Sequence, residues 1–277
     1  MKRFLKITSC VLLAGAVLGA AAFAVLPLPG TVPVLMYHFV GSDEDAVQSN
    51  LFVSRESFSK QMAFLHDWRF HVLIMDEYDA ILAGRRKPRG REVVITFDDG
   101  NYTFHDNAYP ILRKHAFPST IFVVSENVKT GNDGSMMADT IRNLLSENLV
   151  LAGSHSKTHP LLSRMTDEQI REELAGSKAD LETLLGTPIE DFAYPSGDVD
   201  RRVIRLAQET GYRLAFGTSY KRMHGLVGGR HALTRIKITR SSDNPLIFWF
   251  EISGIYQILK AQREIFKQRS NAAAGLS

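Results

Sequence analysis

Glu92-Val93-Val94-Ile95-Thr96-Phe97-Asp98-Asp99-Gly100 is the stretch on which the fold turns. Val93, Val94 and Ile95 are β-branched and apolar, the pattern of a short strand buried on both faces. The run stops at two adjacent carboxylates and a glycine. Neighbouring like charges at the end of a buried strand repel one another and lose hydration, so a compensating cation is the economical partner. Taken alone, the same three residues also suit a polar turn closing a strand.

Residues 149–160 repeat the arrangement with other chemistry: Leu149-Val150-Leu151-Ala152, a Gly153-Ser154 turn, then His155 and His159 before Pro160. Histidines four apart lie on one side of a helical turn, where both reach one ion. Each pair is ordinary by itself. An Asp pair and a His pair, each directly after a buried strand, are a rarer combination. One Asp and two His with an open position for water form a ligand set for a catalytic divalent metal.

Outward from these strands, apolar runs alternate with helical patterns. Residues 32–38 read as the first strand, with His38 at its end. A helix over Glu56–Arg69 follows, with Ser54 as cap, then a strand over His71–Met75 and a helix over Asp76–Ala83. After the aspartates come helix 108–115, strand 119–124, helix 136–148, strand 149–152, a long helix over Thr166–Leu185, strand 191–194, helix 200–210 and strand 214–217. Strands alternating with helices predict a parallel sheet with right-handed crossovers. With every candidate residue just after a strand, the expected fold is α/β, a distorted (β/α) barrel over residues 29–243 with its site at the strand C-terminal ends. The basic loop Arg85–Arg91 then falls at the opposite face, as a solvated loop.

The two ends of the chain differ from this body. Lys2, Arg3 and Lys6 precede an uncharged apolar stretch, Ile7 to Leu28, so residues 1–28 read as a signal peptide or an N-terminal membrane anchor helix. Of 33 basic and 30 acidic residues, those three cations lie in that segment, leaving 30 of each sign. Bulk charge therefore gives no reason to expect nucleic acid. The single cysteine, Cys10, is in the same segment, so the exported domain needs no disulfide. Residues 244–277 carry Leu246-Ile247-Phe248-Trp249-Phe250, then Ile252, Ile255, Leu259 and Phe266 beside basic residues. They read as the closing helix of the barrel or as an amphipathic helix at a membrane surface, with a frayed tail.

Thr96-Phe97-Asp98-Asp99-Gly100, His155-Ser156-x-x-His159 and Phe192-Ala193-Tyr194-Pro195-Ser196-Gly197 together resemble the polysaccharide deacetylase family, carbohydrate esterase family four. The opening Val32-Pro33-Val34-Leu35-Met36-Tyr37-His38 resembles the branch of biofilm poly-N-acetylglucosamine deacetylases. The resemblance implies that Asp99, His155 and His159 bind a divalent metal, zinc first and cobalt, nickel or manganese nearly as well. It implies that Asp98 is the general base. It also implies that a backbone N–H near Tyr194, in the Tyr194-Pro195-x-Gly197 turn, stabilises the oxyanion. Two departures stand out. The late histidine that serves most members as general acid is missing from His231–Arg240, so His38 is the first candidate, then His231 and His224. Tyr194 stands where many members have an arginine that orients the base, and Arg235 is the possible substitute. The expected activity is metal-dependent removal of N-acetyl groups from an N-acetylhexosamine-containing glycan outside the cytoplasm, by a secreted or membrane-anchored protein. The alternatives are N-deacylation of a lipid-linked sugar and a non-catalytic carbohydrate-binding protein on the same fold.

Overall fold

Among the described residues ten strands occur in chain order: β1 Val34–Tyr37, β2 Phe39–Gly41, β3 Phe52–Ser54, β4 His71–Val72, β5 Glu92–Phe97, β6 Ser119–Val123, β7 Val150–Ser154, β8 Asp191–Ala193, β9 Leu214–Phe216 and β10 Ile236–Lys237. The structure is a computed structural model and describes residues 32–42, 49–218, 229–256, 259, 262–263, 266 and 270. Every pairing in the main sheet is parallel, in the order β10-β1-β5-β6-β7-β8-β9, with β4 on the start of β5. All six residues of β5 are buried, as expected of a central parallel strand.

The sheet curls until one short segment laces its two edges together. Leu233 donates its N–H to Ala215 O on the β9 side (3.1 Å) and accepts from Gly217 N (2.8 Å). Three residues later, Ile236 and Lys237 pair with Leu35 and Met36 of β1. This seam, residues 233–237, makes the structure the distorted barrel that the alternating pattern predicts.

Helices cover the outside. They are α1 Arg55–Asp67, α2 Met75–Leu82, α3 Tyr109–Lys114, α4 Ser125–Thr130, α5 Ala138–Ser146, α6 Asp167–Arg171, α7 Ser177–Leu185, α8 Arg201–Glu209 and α9 Pro245–Ile252. Ser54 caps α1 by accepting from Ser57 N at 3.1 Å, and Asp200 caps α8 by accepting from Val203 N at 2.8 Å. Phe58, Met62 and Leu65 of α1 enter the core that also holds Tyr37, Phe97 and Phe104. The expected long helix over 166–185 is present, but a π-helical turn at Glu172–Gly176 joins α6 to α7. The strand expected over His71–Met75 stops at Val72, because Met75 already opens α2.

The basic loop sits at the N-terminal end of β5, away from the strand tips. There Arg86 donates to the buried Glu92 (2.6 Å) and Arg85 to Asp79 (2.7 Å), so both cations are spent on carboxylates. In α9, Phe248 and Ile252 join the core while Leu246 and Ile247 stay exposed. Over Pro245–Ile252 this helix therefore packs on the barrel. The proposed leader or anchor, residues 1–28, lies outside the described residues, as does most of the chain after Tyr256. Among the described residues no helix is long and apolar enough to cross a membrane.

Candidate active site

Asp98 leaves the tip of β5 with its N–H donating to Tyr37 O (3.0 Å), which ties it to β1. Its carboxylate is 1% exposed and is held by both terminal nitrogens of Arg235, at 2.6 and 2.7 Å. Paired guanidinium bonds of this kind fix direction as well as charge. Arg235 comes from the middle of the seam and is positioned further by Thr96 Oγ1 (3.2 Å), which itself donates to Leu35 O (2.7 Å). Burial pushes the Asp98 carboxyl up, but Arg235, with the imidazoles of His155 and His38, outweighs that and holds it at about 2. Arg235, in the segment just before β10, thus fixes the direction of the Asp98 carboxylate.

The next residue, Asp99, has a left-handed backbone (φ +69°), followed by Gly100 at φ +64°. This double reversal turns successive carboxylates to different duties. A Cβ on Gly100 would lie 2.6 Å from Val123 Cγ1, so the turn also depends on a close approach to β6. One ligand atom from each of Asp99, His155 and His159 falls within 4.8 Å of the others. Nε2 of His155 is 3.6 Å and Nε2 of His159 is 3.8 Å from Asp99 Oδ1. His155 Nδ1 lies 2.7 Å from Ala193 O, an acceptor only, so the ring proton sits on Nδ1 and Nε2 carries a lone pair toward Asp99. This donor set fits a divalent cation. Burial pushes the His155 imidazole down and the Asp99 carboxyl up.

The histidines do not share a helical turn, contrary to expectation. They stand on an irregular loop in which Ser156 (φ +67°) and His159 (φ +60°) are both left-handed. Ser154 Oγ accepts from Ser156 N (3.2 Å) and Ser156 Oγ from His159 N (3.0 Å). Between them, Glu173 accepts from Lys157 N and Thr158 N (2.9 Å each) and from Thr158 Oγ1 (2.6 Å). Sequence reasoning missed Glu173, which lies in the π-helical turn Glu172–Gly176.

His38 sits beside the carboxylate pair, Nε2 4.0 Å from Asp98 Oδ2, and its buried Nδ1 makes no hydrogen bond among the described residues. Burial, only partly offset by Asp98, pushes it down to about 4, so it is neutral at neutral pH. The second candidate acid, His231, points elsewhere: its Nε2 is 2.6 Å from Tyr212 O and its own carbonyl accepts from Tyr194 Oη (2.9 Å). His224 lies outside the described residues.

The oxyanion expectation needs correction at the residues named for it. Tyr194 N–H donates to Phe216 O (2.9 Å) as part of the sheet, and Gly197 N–H donates to Tyr194 O (2.8 Å). Pro195 has no N–H. The Tyr194 ring is wholly buried and behaves as core, its hydroxyl pushed up by burial. Of this turn only Ser196, left-handed at φ +54°, lines the cavity.

That cavity has a volume of about 530 Å³ and includes His38, Asp98, Asp99, His155 and His159 in its lining. Its far wall comes from the C-terminal part of the chain, with Lys237, Thr239, Glu251 and Tyr256. The size suits a small-molecule or oligosaccharide segment.

Residues 85–215 match the family model described as polysaccharide deacetylase. The chain is 27% identical over 211 residues to the Bacillus subtilis protein YxkH, named for the same family, covering 76% of this chain and 72% of that one. It is 26% identical over 201 residues to the poly-beta-1,6-N-acetyl-D-glucosamine N-deacetylase of Staphylococcus aureus, covering 67% of each. Among solved structures, the Streptococcus pyogenes deacetylase PplD in complex with acetate superposes with a TM-score of 0.70 at 26% identity, covering 79% of this chain and 98% of that one.

Proposed function

Since the chain belongs to the polysaccharide deacetylase family, we propose that it hydrolyses the N-acetyl group of an amino sugar in an N-acetylated glycan, releasing acetate and leaving a free amine. The observation that carries this reading is an ionised, arginine-locked Asp98 beside the Asp99–His155–His159 cluster in one cavity. Asp99, His155 and His159 would hold a divalent ion, with zinc, cobalt, nickel and manganese all compatible with mixed Asp and His ligands. Such an ion acidifies a water and polarises a carbonyl.

The chain's own part is proton handling and orientation. Asp98 is ionised throughout the neutral range and free of the ligand set, so it takes the proton of the attacking water. Arg235 keeps the carboxylate aimed while this happens. His38 is neutral at rest, so it serves as acid only after receiving a proton. Its Nε2, 4.0 Å from Asp98 Oδ2, is placed to take that proton on and pass it to the leaving nitrogen. This differs from an acid charged beforehand. An extracytoplasmic location suits a glycan substrate and the apolar segment near the start of the chain.

A second reading is N-deacylation of a lipid-linked sugar. It draws on α9, which contributes Glu251 to the cavity while exposing Leu246 and Ile247 on another face. A non-catalytic carbohydrate-binding role would leave the intact base, its arginine and the ligand set without a use.

The test is acetate release by the purified protein from acetylated glucosamine oligomers. Release should stop with chelator, return with zinc or cobalt, and be absent in Asp98→Asn while metal still binds. Release indifferent to both chelator and Asp98→Asn would overturn the assignment. Stoichiometric metal without release would shift the substrate toward lipid-linked sugars.

A further inference from the structure

We infer that Glu173 is a positioning residue for the reaction: its carboxylate clamps residues 157 and 158 so that His159 is held ready to ligate metal. The inference rests on the metal reading of the Asp99–His155–His159 cluster. Glu173 is 6% exposed and makes no ion pair among the described residues. A buried carboxylate is costly unless its lone pairs are filled, and three donors fill them here. All three belong to Lys157 and Thr158, the residues between Ser156 and His159.

Three further features point the same way. Ser156 and His159 both lie in the left-handed region, which non-glycine residues hold only when their surroundings over-determine them. His159 is 37% exposed at its side chain, so packing contributes little to holding its ring. The helix carrying Glu173 is widened and underwound by a π-helical turn that includes that residue, Glu172–Gly176, a distortion often found at functional sites. His155, by contrast, has its own anchors: its N–H donates to Val123 O (2.8 Å) and its Nδ1 to Ala193 O (2.7 Å). Glu173 should therefore act through His159 and not through His155.

The experiment measures zinc affinity of the full chain by competition with a chromophoric chelator, well below the melting temperature, with folding checked by circular dichroism. Glu173→Gln removes the charge and places an N–H₂ against the loop amides, and should raise the zinc Kd about ten- to hundredfold at unchanged stoichiometry. Thr158→Val removes one bond of the three and should give a smaller rise. In a His159→Ala background Glu173→Gln should change nothing further, because the ligand it positions is gone. A role confined to global stability would lower the melting temperature and leave the zinc Kd of the folded protein alone. Unchanged Kd in the variants, or an equal loss in the His159→Ala background, would overturn the inference. If Glu173→Gln does not fold, the Thr158→Val measurement decides. Absence of zinc from the wild-type protein would instead refute the metal reading itself, and this inference with it.

Discussion

Replacing Arg235 with methionine would show how much of the fold's stability is tied to keeping Asp98 charged. The two side chains are 0% and 1% exposed and share bonds of 2.6 and 2.7 Å. Removing one member of such a pair leaves a buried charge without a partner, at a cost of about 3–5 kcal/mol. For a chain of this size each kcal/mol moves the melting temperature by about 2–4 °C. The metal-free Arg235→Met protein should therefore melt about 6–20 °C below wild type at pH 7. The pH dependence carries the sign. In the wild type the Asp98 pKa is depressed from 3.8 to about 2, so its contribution is complete above the unfolded value and is lost as pH falls through the folded one. That gap is worth about 2 kcal/mol, at about 1.36 kcal/mol per pH unit. In the variant, burial remains without the guanidinium, so the carboxyl should rise above 3.8 and protonation should favour the fold. The deficit should then shrink as the pH is lowered from 7 to 4, followed by thermal melts in chelator. Asp98→Asn added to Arg235→Met should recover part of the loss, because no charge is left to strand. A deficit of the same size at every pH, or a double variant no better than the single, would refute the pairing as the reason Asp98 stays ionised.

Four other outcomes follow from the site. The acid limb of kcat/KM should move to lower pH as zinc is raised, because protons compete with metal for its ligands; a limb fixed in pH at all zinc levels would contradict this. His38→Ala should lower kcat by about 10²–10⁴, the usual range for a lost proton-transfer group. Steady-state kinetics should show His231→Gln affecting stability and not turnover, and the reverse pattern would reassign the acid. Gly100→Ala should weaken zinc binding and lower the melting temperature, because φ +64° and a 2.6 Å approach to Val123 both oppose a Cβ. Wild-type zinc affinity in that variant would mean that Asp99 does not depend on the turn.

What could be read without coordinates was local. The β-branched run before Asp98, the cap Ser54, and the alternation of strands with helices are each written in a few neighbouring residues. The pairs β2–β3 and β10–β1 escaped notice because strands of two or three residues have no measurable periodicity. The histidine loop was misread because spacing by four suits a helix, and nothing in Ser156-Lys157-Thr158 announces left-handed residues. Which backbone N–H near Tyr194 could serve an oxyanion is a matter of hydrogen-bond accounting, and Tyr194's own is spent on Phe216 O. Whether an amide is free depends on the neighbouring strand, here Phe216, which lies in another part of the chain. Arg235 was only a weak candidate, since its partner is 137 residues away. Glu173 lies in a π-helical turn, and no composition rule marks such a turn.

The seam at 233–237 bears on when the catalytic centre comes into being. Its middle residue is Arg235, so zipping β9 to β1 and supplying Asp98 with its counter-charge are a single event. Contacts of such separation are entropically late in folding. A chain ending short of residue 233 would keep Asp98, Asp99 and both histidines, yet present two open sheet edges prone to aggregation and an uncompensated carboxylate between them. The charge compensation of Asp98 thus arrives only with the segment that joins the two edges of the sheet.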